Sequence, residues 1–355
     1  MVSKKRMAEE MKKYNVAVVG ATGAVGIEMV KMLELRDFPV NNLYLFASSR
    51  TAGRKMKFRG KEITVEDITA IKDFSVLKSK YALDVALFSA GGSVSLELSP
   101  KFAEQGVYVI DNSSAFRMDK KSPLVVPEVN PNTLSKETKI IANPNCSTIQ
   151  MVVALKPLYD AAKIKRVIVS TYQAVSGAGG RAMTEFTNQV MAWSKGEKIP
   201  PAEKLPHQIA FNVIPQIDVF IENGYTKEEM KMVNETKKIL GDDNIAVSAT
   251  CVRVPVFRGH SESVWIETEE KLTARDAKDI LKNAEGVILV DEPASKKYPM
   301  PVDAAEKQVT YVGRIREDIS VKNGLVMWIV SDNLLKGAAL NAVQIAELLI
   351  SKKIL

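Results

Sequence analysis

The 355-residue sequence predicts an α/β protein, with a doubly wound parallel sheet followed by an α+β region. Three observations predict it. A glycine-rich turn joins a β-branched run to an amphipathic helix pattern near the start. Short apolar strands then alternate with helical patterns as far as about residue 145, as a parallel sheet requires. Longer β-rich runs follow, and the chain closes on an apolar helix pattern, NLLKGAALNAVQIAELLI, suited to packing back on the first sheet.

The first element is YNVAVVGATGAVGIEMVKMLELRDFP. The run VAVV ends at Gly20, and the helix puts Val25, Met29, Met32 and Leu33 on one side. Gly20, Gly23 and Gly26 are spaced GxxGxxG rather than GxGxxG, but the physics is the same. The first permits a tight turn, the second lets backbone approach a pyrophosphate, and the third lets helix and strand pack closely. The helix N-terminus supplies N–H donors to an anion. This is a Rossmann-type dinucleotide cradle. The next strand, LYLFAS, leads into SSRTAGR, where an NAD-binding chain usually places a carboxylate for the ribose. Ser48, Ser49, Arg50 and Thr51 offer a cation and hydroxyls instead, which suits the 2′-phosphate of NADP. A solvated loop arginine is the competing account of Arg50. The strand DVALFSAGG ends in Ser89, Gly91 and Gly92, and VYVIDNSS runs to Asp111 and Asn112. KIIANPN then delivers Cys146 to the same carboxyl edge, where ligands bind in such sheets.

Only two cysteines and two histidines are present, so thiol and imidazole chemistry has almost no choice of residue. Asn145 is a good helix cap and Cys146 follows it in the first turn, where the helix dipole is expected to lower the thiol pKa. Cys251 lies in the apolar run IAVSATCVRVPV and reads as a small core residue. His260 sits at a Gly-His break between β-rich runs, and His207 in a proline-rich loop. His260 is the preferred partner for the thiol. The four groups lack the paired spacing of a metal site, so no metal is expected.

The composition is 46% hydrophobic, yet no apolar run approaches the roughly 20 residues of a membrane span. Two cysteines argue against a disulfide framework and for a reducing cytoplasm. The net charge of +7 comes from scattered lysines, which suits small anionic ligands and not nucleic acid. The first ten residues read as a frayed tail, with Met11 as an alternative start.

The segments VAVVGATGAVG, ASSRTAG, DNSSAFR, PLVVPEVN, NPNCST, TYQAVSGAGG, EEMK, CVRVP, GHSESV and SDNLLKGAALNAVQIAE together resemble the aspartate-semialdehyde dehydrogenase family, most closely its bacterial branch. The resemblance implies Cys146 as nucleophile, His260 as acid/base and Gln173 beside the thiol. It implies Arg253 on a substrate carboxylate, Glu228 on the substrate amino group, Lys231 near phosphate, and Arg117 and Asn145 at the phosphate site. Thr22, Gly23, Ala24, Val25, Arg50, Thr51, Ser176, Gly177 and Asn333 match cofactor contacts. It further implies NADP, the substrates aspartyl phosphate or aspartate semialdehyde with phosphate, and a homodimer or homotetramer. The product would feed synthesis of lysine, threonine, methionine and diaminopimelate.

Taken alone, Arg253 reads equally as a strand-edge ion pair, and Glu228 and Lys231 as a surface pair at i and i+3. Three alternatives compete: an N-acetyl-glutamyl-phosphate reductase-like enzyme, whose substrate has no ammonium for Glu228; a cysteine hydrolase, which leaves the cradle unexplained; and a noncatalytic Rossmann binding protein. The expected organisation is an NADP-binding domain over 12–145, completed by a C-terminal helix over 333–355, and a catalytic and dimerisation domain over 146–332.

Overall fold

The computed structural model describes residues 12–355. The expected frayed tail and the alternative start at Met11 lie outside the described residues. In the first half come β1 (Tyr14–Val19), α1 (Ala24–Leu35), β2 (Val40–Ala47), β3 (Lys55–Phe58), β4 (Lys61–Asp67), α2 (Val76–Ser79), β5 (Val85–Phe88), α3 (Gly92–Glu104), β6 (Tyr108–Asp111) and β7 (Ile140–Ala142). They build a seven-stranded sheet of order β3-β4-β2-β1-β5-β6-β7. All neighbouring pairs are parallel except the β3–β4 hairpin. The strand order reverses at β1, so β1 and β5 flank the switch point where a crevice opens. Gly20 turns there with φ +85°, and a Cβ on it would lie 2.8 Å from the Ser89 backbone at the end of β5. A Cβ on Gly26 would lie 2.2 Å from the Gly20 carbonyl oxygen, so only glycine allows α1 to pack this close to the turn.

The second half comprises α4 (Cys146–Ala162), β8 (Ile164–Gln173), α5 (Gly180–Ser194), α6 (Lys227–Leu240), β9 (Ala246–Arg253), β10 (His260–Thr268), α7 (Ala274–Lys282), β11 (Val287–Leu289), α8 (Pro301–Ala304), β12 (Thr310–Glu317), β13 (Gly324–Ser331) and α9 (Leu340–Ser351). Its six-stranded mixed sheet has the order β11-β12-β13-β10-β8-β9. Alternation along the strands sends Val167 and Val169 of β8 and Val264 and Ile266 of β10 into one core with Ile149, Val152 and Val153 of α4. The opposite sheet face leaves Ile168 and Tyr172 exposed.

Helix α9 returns to the first sheet, and its Val343, Ile345 and Leu349 join Met29, Leu33 and Leu45 in one apolar cluster. The expected closing helix is not uniform. A π-helical turn, Leu335–Ala339, precedes the regular helix. Its wider backbone holds Lys336 inside, where Nζ meets Glu128 at 2.8 and 2.6 Å, Asn341 at 2.9 Å and Gln344 at 2.7 Å. Burial pushes the Lys336 ammonium pKa below its ordinary value despite Glu128. Burial alone would raise the Glu128 pKa, but Lys336 outweighs it and holds that carboxyl below its usual range. A Lys336→Met variant therefore leaves a buried carboxylate unpaired. It is expected to lose about 3–5 kcal/mol of stability in denaturant unfolding, and a loss within error of zero would refute the account.

Candidate active site

The strand-to-helix junction at 143–146 builds the centre of the site. Asn145 caps α4, its side-chain oxygen accepting the N–H groups of Ser147 at 3.0 Å and Thr148 at 3.4 Å. Cys146 begins the helix at the wall of a cavity of about 380 Å³. The same cavity gathers Arg117, Asn145, Gln173, Glu228, Lys231 and Arg253, together with Val25, Ser176, Gly177 and Asn333. Residues spread over more than 300 positions thus share one small space. His260 is fully buried and does not line the cavity; His207 is exposed.

A second cleft of about 860 Å³ lies over the glycine turn, lined by Gly20, Thr22, Gly23, Ser48, Arg50, Thr51, Ser89 and Gly91. The Thr22 and Thr51 hydroxyls are 3.0 Å apart. Ala24 opens α1, and Gly26 serves helix packing and does not line the cleft. Arg54 and Lys72 also line it; neither stood out in the sequence, because nothing local sets either apart from the many other lysines and arginines.

Charges around the thiol come in pairs. Glu228 accepts from Asn145 Nδ2 at 2.9 Å, from Gln173 Nε2 at 3.4 Å and from Lys231 Nζ at 3.0 Å. Burial would raise the Glu228 pKa, but Lys231, Asn145 and Arg253 outweigh it and keep the group ionised. Lys231 also reaches Asp218 at 3.0 Å. Arg253 donates to the Ala174 carbonyl at 2.7 Å. Arg117 donates to the carbonyls of Asn143 and Asn112, both at 2.9 Å, and to Glu235 at 3.1 Å. Glu235 also accepts the Asn145 backbone N–H at 2.6 Å. Sequence reasoning missed Glu235. The signal was its place seven residues after Glu228, on the same face of α6.

The expected low thiol pKa is not what the surroundings produce. Burial pushes the Cys146 thiol up to about 12, and the Glu228 charge adds to it. Arg117, Arg253 and the Ser147 N–H pull the other way without prevailing. The helix-end effect, typically 0.3–1 kcal/mol, is smaller than the cost of desolvating an anion. Cys251 is also a thiol at rest, its pKa raised by burial, and its Sγ lies 3.8 Å from Met232 Sδ.

A dinucleotide cleft and a thiol cavity at the carboxyl ends of one parallel sheet are the layout of a nicotinamide-dependent oxidoreductase that works through cysteine. The chain matches the model of the semialdehyde dehydrogenase NAD binding domain over residues 15–137 and that of the semialdehyde dehydrogenase dimerisation domain over 155–336. It is 58% identical over 341 residues to the aspartate-semialdehyde dehydrogenase of Aquifex aeolicus, covering 96% of this chain and 98% of that one. With the Bacillus subtilis aspartate-semialdehyde dehydrogenase it shares 54% identity, covering 94% and 96%. It superimposes on the crystal structure of Vibrio cholerae aspartate semialdehyde dehydrogenase II complexed with ASA with a TM-score of 0.91 at 49% identity, covering 96% and 99%. The chain belongs to the aspartate-semialdehyde dehydrogenase family.

The thiol's state is open to direct measurement. In the ligand-free protein, alkylation of Cys146 by iodoacetamide is expected to accelerate steadily with pH, with no plateau in the neutral range. Glu228→Gln, which removes a negative charge that raises the thiol pKa, should speed the reaction at neutral pH. A rate already saturated at pH 7 would mean that the helix end prevails after all.

Proposed function

We propose that the chain interconverts L-aspartyl 4-phosphate and L-aspartate 4-semialdehyde with NADPH or NADP, through a thioester on Cys146. One observation carries the assignment: two opposite charge poles converge on a single thiol. Arg253 suits the α-carboxylate bidentately, as lysine would not. Glu228, held ionised, suits the α-ammonium. An acetylated amine carries no such charge, which disfavours the N-acetyl-glutamyl-phosphate reading. Lys231, Arg117 and Asn145 form the phosphate side, and Gln173 borders the thiol.

The cofactor cleft fits NADP, since a Cβ at Gly20 would collide with backbone and Arg50, Ser48 and Thr51 line the cleft just past β2, while the one carboxylate of its lining, Glu97, comes from α3. Bound NADP supplies the hydride acceptor, or as NADPH the donor. The chain's own residues do the rest. The Cys146 sulfur adds to the aldehyde carbon, Arg253 and Glu228 fix the substrate's orientation, and the thioester later yields to phosphate. Covalent attachment divides one hard conversion into two easier ones.

We assign residues 12–145 and 333–355 to cofactor binding, and 146–332 to catalysis and dimerisation. The exposed sheet face around Ile168 and Tyr172, where the Tyr172 ring lies tilted against Trp328 with centroids 5.3 Å apart, supports a homodimer or homotetramer built through it. Two unpaired cysteines support a cytoplasmic setting. Among the described residues no helix is long and apolar enough to cross a membrane.

Absorbance of NADPH tests the proposal, with aspartate semialdehyde and NADP present, with and without phosphate. Phosphate-dependent NADPH formation is expected, falling about 10³-fold or more in Cys146→Ser. No NADPH from a folded wild-type protein would overturn it. Glu235→Gln removes the negative charge that orients Arg117 and turns one of the two accepting oxygens into an NH2 donor. Its KM for phosphate is expected to rise about tenfold or more, as one charge-assisted hydrogen bond is worth about 1.5–3 kcal/mol. The KM for the aldehyde should move much less.

A further inference from the structure

Three cations line the thiol cavity: Arg117, Lys231 and Arg253. Three carboxylates are hydrogen-bonded to two of them, Glu235 to Arg117, and Glu228 and Asp218 to Lys231. Asp218 is the one that neither the resemblance nor the proposed reaction employs. It lies in the irregular segment between α5 and α6, and its Oδ2 meets Lys231 Nζ at 3.0 Å. Burial would raise its pKa, but Lys231 and the Val219 N–H outweigh that and hold the carboxyl below its usual range.

The fold grips Asp218 less firmly than the other two. Its side chain is 35% exposed, against 7% for Glu228 and 2% for Glu235. Glu235 also accepts the Asn145 backbone N–H, and Glu228 accepts from Asn145 and Gln173, so both are tied into the cavity wall. Among the described residues, the Asp218 carboxylate has besides Lys231 just the N–H of its own neighbour, Val219, at 2.9 Å. It also borders two spaces. One is the thiol cavity, and the other is a second cavity of about 380 Å³ lined also by Lys204, Gln216 and Arg253. The carboxylate thus has room to withdraw. Lys231 keeps its place without Asp218, because Glu228, three residues earlier on α6, binds it at 3.0 Å.

Charge balance shows when withdrawal is called for. Aspartate semialdehyde is a zwitterion, whose carboxylate suits Arg253 and whose ammonium suits Glu228, so its arrival adds no net charge. Phosphate brings negative charge alone, to a Lys231 that already carries two carboxylates. A third anion at one ammonium is repelled by the other two. The least costly relief is departure of the carboxylate that the fold holds least.

We propose that Asp218 is an intramolecular stand-in for phosphate: its carboxylate occupies Lys231 in the ligand-free protein and yields it to the incoming oxyanion. The inference rests on the phosphate side assigned above to Lys231. Asp218 thereby sets how tightly phosphate binds and leaves the aldehyde's own contacts alone.

Asp218 has φ +67°, a left-handed conformation that asparagine tolerates as aspartate does. Asp218→Asn keeps an oxygen for the Val219 N–H, removes the charge, and turns the oxygen that faces Lys231 into an NH2 donor. Isothermal titration calorimetry of the full-length, NADP-loaded protein with inorganic phosphate reads the competition directly. The variant is expected to bind phosphate about three- to tenfold more tightly than wild type, the scale of one partly exposed ion pair. In NADPH formation its KM for phosphate should fall by a similar factor, while its KM for the aldehyde stays within about twofold. Phosphate binding that is unchanged or absent in the variant would overturn the proposal. Weaker binding would overturn it too, and would make Asp218 a positioning residue for Lys231. If Asp218→Asn does not fold, Asp218→Gly removes the same charge and accepts the same φ. Calorimetry needs no turnover, so a folded protein that forms no NADPH would sink the proposed reaction and leave the competition for Lys231 measurable.

Discussion

Asn145 is held by two helices at once, and the geometry of the site depends on it. Its side-chain oxygen caps α4, its amide nitrogen binds Glu228, and its backbone N–H binds Glu235. The residue therefore ties the end of the first sheet to helix α6 just before the nucleophile. Cys146 has no freedom of its own here. Its position follows from a strand that stops at Ala142, a proline at 144 and a helix whose first turn is already capped. Both carboxylates that hold Asn145 are also bound to cations that face the cavity, so the thiol and the charged walls around it are positioned together.

The pairing of charges explains how so many ionised groups fit beside a half-buried thiol. Isolated charges in such a space would cost several kcal/mol each. Arg117 uses three guanidinium donors on protein acceptors and keeps two of its five for something else. An incoming anion can then be bound without breaking a pair that the fold needs. The resting thiol fits the same logic, because a thiolate beside Glu228 would be an unpaired anion until a cationic or neutralising ligand arrives.

Much of this layout was legible in the sequence. The glycine spacing, the missing carboxylate after β2 and the capped Cys146 are local signals, and each lies where a local signal places it. The convergence of Arg117, Gln173, Glu228 and Arg253 was legible only through resemblance, since nothing local separates Glu228 and Lys231 from a surface pair. Three features escaped. Glu235 looked like any polar helix residue until its partners from 117 and 145 came into view. The π turn at Leu335–Ala339 arises from a buried lysine whose acceptor, Glu128, lies more than 200 residues away. The thiol shift has the opposite sign to the helix-dipole expectation, because sequence reveals the dipole but not the desolvation. Each miss is a long-range or burial effect, which local pattern does not settle by itself.

The return of α9 to α1 bears on how the molecule is made. The face formed by Met29 and Leu33 waits for Val343 and Leu349, which leave the ribosome some three hundred residues later. At about 5–20 residues per second, the cofactor-binding half spends its early life with an uncovered apolar stripe. The second half is synthesised and free to fold during that interval. The nascent chain thus has a window in which chaperone binding competes with self-association, and it closes only when the final helix docks.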